Sequence, residues 1–114
     1  MGDCIFCGIG SKKIRALVVH EDDELLAFRD INPQAPVHIL IIPKQHFGGV
    51  QEMGPEDGAL LGKMILAAKQ IAAQERISGS GYRLVINAGE HGGQTVPHIH
   101  VHLLGGRPLT WPPG

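Results

Sequence analysis

Three histidines, His98, His100 and His102, alternate with Ile99 and Val101 in the stretch PHIHVHLLGG, residues 97–106. Strict alternation of this kind predicts a β-strand with one apolar and one polar face. Ile99, Val101 and Leu103 are expected to face a core, and the three imidazoles to share the other side about 7 Å apart. That spacing is too wide for direct ring-to-ring hydrogen bonds along the strand, but it suits rings that line one anionic group or one metal ion. Three chemistries could use it: a zinc site, a phosphate cradle of charged imidazoles, or nucleophilic catalysis in which one ring attacks while its neighbours orient it. The plain alternative is a solvated, histidine-rich strand face.

The loop before the strand, AGEHGGQTVP, narrows the choice. Gly89, Gly92 and Gly93 allow backbone N–H groups to approach a ligand closely, and Gln94 and Thr95 add polar side chains. Such a loop suits phosphate oxygens. It is not a Walker loop, because no G-x-x-x-x-G-K-[ST] occurs in the chain. Paired carboxylates to hold magnesium are also missing from the pattern, which leaves the chemistry to histidine.

The elements that must position these groups follow from periodicity. Arg15–His20 and Leu25–Asp30 read as strands separated by the acidic turn Glu21-Asp22-Asp23, and Val37–Ile42 as a buried strand ended by Pro43. Pro33 and Pro36 make residues 32–36 a loop. Pro55, with Glu56 and Asp57 behind it, opens a helix expected to run to about Ile77. Its apolar positions Leu60, Leu61, Met64, Ile65, Ala68, Ile71 and Ala72 keep to one face, and the GSG of 79–81 is read as its stop. Residues 4–9 form a short helix or turn, and Tyr82–Asn87 the strand before the glycine loop. Connections among the first strands are too short for crossovers, so the sheet is antiparallel. The expected class is α+β: about five strands, one long helix and a short N-terminal helix, in one domain over residues 1–114.

Composition sets the outer bounds. The 114 residues are 43% hydrophobic and 18% charged, with 10 Lys and Arg against 11 Asp and Glu. No basic footprint for nucleic acid is present. The longest apolar run, Ile39 to Ile42, is far too short for a membrane span, and MGDCIFCGIG lacks the pattern of a secretory signal. A cytoplasmic location is expected. Cys4 and Cys7 stand as C-x-x-C, which without an export signal points to metal or redox chemistry rather than a structural disulfide.

The stretch HIHVHLL, 98–104, resembles the histidine triad motif of the HIT superfamily of nucleotide hydrolases and transferases. The resemblance continues through DINPQAPVHILIIPKQH (30–46), GYRLVINAGEHGGQTVPHIHVHLLGG (81–106) and WPPG (111–114), and so covers essentially the whole chain. It is nearest the Hint branch, the homodimeric histidine triad nucleotide-binding proteins that act as purine nucleoside phosphoramidases. Pro97 stands where many Hint proteins carry an aromatic residue, Thr95 where many carry serine, and QTV is shared with Fhit-like dinucleoside polyphosphate hydrolases. Hydrolysis of dinucleoside polyphosphates is therefore the alternative activity, and a nucleotide-binding regulatory module with little turnover is a second.

What the resemblance implies is specific. His100 would attack the α-phosphorus of an AMP or GMP conjugate with an amine and form a nucleotidyl-histidine, which water then releases. His102 would bind phosphate oxygens, with His98 and His38 in support. Asp30 would hold the ribose hydroxyls and Ile31 would pack on the base or sugar, while Asn87, Gly93, Gln94 and Thr95 would surround the phosphate and leaving group. Trp111, on a tail that in Hint dimers approaches the partner's site, would shape leaving-group specificity. Catalysis itself would need no cofactor. Some relatives hold a structural zinc with an N-terminal C-x-x-C and two histidines, and the matching set here is Cys4, Cys7, His46 and His98. The other reading of the cysteines is a pair of free, partly buried thiols.

Overall fold

The computed structural model describes residues 4–114; residues 1–3, part of the expected single domain, lie outside the described residues. Its elements run α1 (Ile5–Gly10), β1 (Val18–Glu21), β2 (Leu25–Arg29), β3 (Val37–Pro43), α2 (Gly58–Gln74), β4 (Tyr82–Val85) and β5 (Val101–Gly105), with 3₁₀ turns at Val50–Glu52 and Pro55–Asp57. The five strands form one antiparallel sheet in the order β1-β2-β3-β5-β4. The α+β class expected from the pattern is the class observed.

Each face of the sheet has its own packing, and side-chain alternation decides which residue goes where. On one side Leu25, Ala27, Ile39, Ile41, Val101 and Leu103 meet Met64, Ala68, Ile71 and Ala72 of α2. On the other, Leu26, Phe28, Leu40 and Ile42 meet Phe6 and Ile9 of α1. The histidines belong to this second side, as alternation requires when Ile99, Val101 and Leu103 take the first. Far from being a solvated face, it buries His98 completely and leaves His100 only 5% exposed.

Local chemistry explains the boundaries. Asp22 turns the chain between β1 and β2 by accepting the N–H groups of Glu24 and Leu25 at 2.9 Å each. Asp57 accepts the Gly54 N–H at 2.9 Å and seats the start of α2. At its other end α2 stops at Gln74, three residues before the expected Ile77. The Ile77 N–H reaches Ala72 O at 3.0 Å and the Arg76 N–H reaches Ala73 O at 3.1 Å, a Schellman arrangement. Arg76 (φ 62°) holds the left-handed position that glycine usually takes, so the stop precedes the GSG sequence. Arg29 then ties the sheet to this helix end with two bonds to Glu75, 2.9 and 3.0 Å long.

The strands are shorter than the pattern suggests at two informative places. β1 begins at Val18, and residues 15–17 form the wall of a hollow instead. β5 begins only at Val101, so of the three alternating histidines only His102 lies in the ladder. The register pairs Ile41 with Val101, which would bring Ile99 opposite Pro43. Pro43 has no N–H to offer a further rung; the Ile99 N–H bonds Phe47 O at 2.8 Å instead. His98 and His100 therefore sit on extended chain just outside the sheet.

Candidate functional site

Two clusters of polar side chains meet at the entry to β5. The first contains Asp30, His38 and His102, whose ligand-type atoms lie within 4.8 Å of one another. β2 ends just before Asp30, β3 carries His38, and β5 carries His102, so three neighbouring strands deliver the set. The Gln34 backbone N–H donates to His38 Nδ1 at 3.0 Å. Nδ1 must therefore accept, which places the ring proton on Nε2. That Nε2–H lies 2.9 Å from His102 Nδ1 and 3.5 Å from Asp30 Oδ2. As an acceptor at Nδ1, His102 carries its own proton on Nε2, available as a donor. Burial lowers the pKa of His38 against the opposing pull of Asp30. Burial, then the nearby rings of His100 and His38, push His102 down to about 4. Both rings are neutral near pH 7.

His100 takes the opposite tautomer. Its Nδ1 lies 2.7 Å from the carbonyl oxygen of His98. A carbonyl can only accept, so Nδ1 carries the proton and Nε2 keeps a free lone pair. The ring packs edge-on against Phe6, centroids 5.1 Å apart, and lies 4.9 Å from the ring of His102. The approach is closer than the backbone spacing along a strand because the rings lean together. The site thus pairs an unprotonated nitrogen on His100 with an N–H on His102.

The second cluster is Cys4, Cys7, His46 and His98, whose donor atoms also lie within 4.8 Å of one another. Cys7 Sγ is 3.2 Å from His46 Nδ1 and 3.5 Å from His98 Nδ1, and Cys4 Sγ is 3.4 Å from His98 Nδ1. Two soft thiols and two imidazoles are a donor set suited to zinc. The His98 ring is arranged for it: Nε2 donates to Pro43 O at 2.9 Å, which leaves Nδ1 bare and aimed at the sulfurs. Burial, with the Cys4 thiol beside it, raises the Cys7 pKa. His98 links this cluster to the other, because its carbonyl accepts from His100, whose ring lies beside His102.

Beside Asp30 lies a hollow of about 430 Å³ lined by Ile9, Ile14, Leu17, Val18 and Ile31, with Lys12 and Arg15 at its edge. Ile31, 97% exposed, continues an apolar patch with Ile14, Leu17 and Val18 around this hollow. Phe6, Ile9, Ile14 and Leu17 are site residues that the sequence reading missed. For Ile14 and Leu17 the signal was apolar residues in the stretch just before β1; for Phe6 and Ile9 it was their spacing of three on the short helix α1.

The loop residues behave differently from the expectation. Asn87 Nδ2 donates to Gly92 O at 2.7 Å. The Gly93 and Gln94 N–H groups close the loop onto Glu90 O and Gly89 O at 3.0 Å each. The Gln94 side chain donates to Gly48 O and Val96 O and accepts from Gly89 N and Gln51 Nε2. Its amide is fully engaged, so it braces the loop rather than pointing to a ligand. Gly93 has φ 78°, and a Cβ on Gly92 would collide with the Ala88 backbone, so both glycines shape the turn itself. Thr95 lines a neighbouring hollow of about 460 Å³ with Cys4 and His46. Trp111 is 82% exposed. The tail before it is held by Arg83, which donates to Thr110 O at 2.6 Å, and by Arg107, which donates to Gln34 O at 2.9 Å.

A five-stranded antiparallel sheet with buried histidines clustered where one strand begins is the architecture of the histidine triad proteins. The HIT domain matches residues 11–109, and the chain belongs to that family. An uncharacterized HIT-like protein of Synechococcus elongatus is 58% identical over 112 residues, 98% of this chain and 97% of that protein. The crystal structure of a HIT family hydrolase from Legionella pneumophila superposes with a TM-score of 0.97 at 53% identity, covering 98% of this chain and 100% of that one. A histidine triad nucleotide-binding protein from Candida albicans gives 0.82 at 30% identity, with 96% and 83% covered. Among the described residues, no helix is long and apolar enough to cross a membrane.

Proposed function

We propose that the protein is a hydrolase of purine nucleotide conjugates that cleaves the P–N bond of AMP–amine or GMP–amine substrates. The observation that carries this reading is the pair of opposite tautomers: His100 presents a bare Nε2 while His102 beside it presents an N–H. A neutral imidazole near pH 7 is a competent nucleophile, and its phosphorylated form is a good leaving group. The hydrolase named in the Legionella structure and the nucleotide binding named in the Candida protein support the same class.

In this mechanism His100 Nε2 attacks the α-phosphorus as the P–N bond breaks. The Nε2–H of His102 donates to a phosphate oxygen and stabilises the charge that builds there. The amine takes a proton from solvent as it leaves, and the nucleotide is held on His100 as a phosphorylated imidazolium. The His98 carbonyl stabilises that charge through the Nδ1–H it already accepts. Water then attacks the phosphorus, gives up a proton to solvent and releases the nucleotide, leaving His100 Nε2 with its lone pair again. Asp30, with Oδ1 engaged by the Asn32 N–H at 2.8 Å, keeps Oδ2 for the ribose hydroxyls. Ile31 and the hollow beside it take the base. Catalysis uses no metal.

Cys4, Cys7, His46 and His98 would hold a structural zinc, a closed set of four ligands with no open position for substrate. The working form is a homodimer: α2 leaves Leu66 65% exposed, β4 is an edge strand, and the exposed Trp111 is free to reach a partner's site. A fluorogenic AMP phosphoramidate run beside a dinucleoside polyphosphate tests the activity. Faster turnover of the dinucleotide would replace the phosphoramidase reading with the alternative one, and no turnover of either would leave a binding module.

A further inference from the structure

The helix α1 is six residues long, far below the length at which an isolated helix is stable in water. It caps itself weakly, with the Cys4 thiol accepting the Cys7 N–H at 3.4 Å. Only Phe6 and Ile9 are buried along it. Yet three features of the site depend on where it sits. Cys4 and Cys7 supply half of the soft donor set. Phe6 packs edge-on against His100 at 5.1 Å and against His98 at 6.0 Å, while its far side meets Phe28 at 5.5 Å. Ile9 forms part of the wall of the hollow beside Ile31.

The other two donors come from distant chain. His46 follows β3 and His98 precedes β5, so a cation shared by the four would join α1 to the two central strands. His98 adds a second link, because the residue whose ring faces the sulfurs also offers its carbonyl to His100.

We propose that metal capture by Cys4, Cys7, His46 and His98 is the clasp that docks α1, and that through it Phe6 acts as a positioning residue for His100 while Ile9 completes the nucleoside wall. The nucleotide part of this inference rests on the function proposed above; the docking part does not. A metal bound by these four side chains would thus govern both nucleotide affinity and the orientation of the attacking ring. The substrate side needs no contact with the ion.

The test compares zinc-loaded and chelator-stripped full-length protein, wild type and His46→Gln, by amide hydrogen exchange and by AMP calorimetry. Zinc should slow exchange of the Gly8 and Ser11 amides, which bond to Cys4 O and Cys7 O, by about tenfold or more. It should tighten AMP by about tenfold, within the usual range of coupling between two sites. His46→Gln should lose both responses, and Cys7→Ser should do the same if the first variant proves unstable. Phe6→Leu in zinc-loaded protein should lower kcat about tenfold with KM little changed, and Phe6→Tyr should restore most of it. Failure to bind zinc, exchange at α1 that ignores zinc, or an unchanged kcat in Phe6→Leu would each overturn the proposal. Absence of AMP binding in every form, with the exchange response intact, would instead sink the nucleotide reading and leave the clasp standing.

Discussion

The Nε2 atom of His38 lies 2.9 Å from Nδ1 of His102, across the ladder that joins β3 to β5. The backbone N–H of Gln34 on the far side of His38 sets the direction of that bond. One main-chain donor in a proline-bounded loop therefore determines which nitrogen of His102 carries a proton two rings away.

The tautomers are directly observable. In ¹⁵N-labelled protein at pH 7.5, His102 should show the Nε2–H form and His100 the Nδ1–H form. The reverse assignment for His100 would remove the free lone pair that the mechanism requires.

Substitution should separate bond formation from charge stabilisation. His100→Asn should bind AMP yet lose turnover by at least ~10³-fold, as expected when a covalent nucleophile is removed. His102→Ala should lose less, on the order of 10²-fold, because it removes a hydrogen bond that stabilises charge and not the bond-forming atom. Rapid quenching with labelled substrate should trap the nucleotide on His100. Label found on His98 or His102 would overturn the assignment.

Stability should fall on the acid side for a definable reason. In the unfolded chain His102 takes up a proton near 6.5, whereas in the fold it resists until about 4. Between those values the unfolded state binds more protons, so this contribution is complete above 6.5 and is lost as pH falls through the window. Thermal melts at pH 7.5 and pH 5 should show a smaller drop for His102→Gln than for wild type. Equal drops would mean that other groups carry the acid sensitivity.

Arg76 occupies a left-handed backbone position that costs a non-glycine residue about 1 kcal/mol. Arg76→Gly should raise the melting temperature by about 4 °C in a chain of this size. A lower melting temperature would show that the arginine side chain contributes more than its backbone costs.

The exposed tail should affect selectivity rather than the nucleotide. Trp111→Ala, or removal of residues 108–114, should leave AMP affinity within about twofold while altering which amines are accepted as leaving groups. An unchanged leaving-group profile would show that the tail does not reach a partner's site.

Much of this protein was legible in the chain itself. The period of two in HIHVHLL and the helical period in 58–74 depend only on backbone geometry, so the α+β class, the antiparallel sheet and the opposite placement of histidines and aliphatics could be read directly. Pairings between distant residues could not. The truncation of β5 depends on which residue of β3 stands opposite Ile99, and only the register shows that it is Pro43, which has no N–H to give. The exact length of α2 depends on Arg76 accepting a left-handed conformation, which the Cβ of any L-residue disfavours and the burial of Ile77 offsets. Gln94 looked like a ligand residue because its neighbours are glycines, yet packing placed carbonyls of Gly48 and Val96 around its amide. The proton positions on His38, His100 and His102 also come from tertiary contacts. A ring's tautomer is set by whichever donor or acceptor the fold brings to its other nitrogen, and no local pattern carries that information.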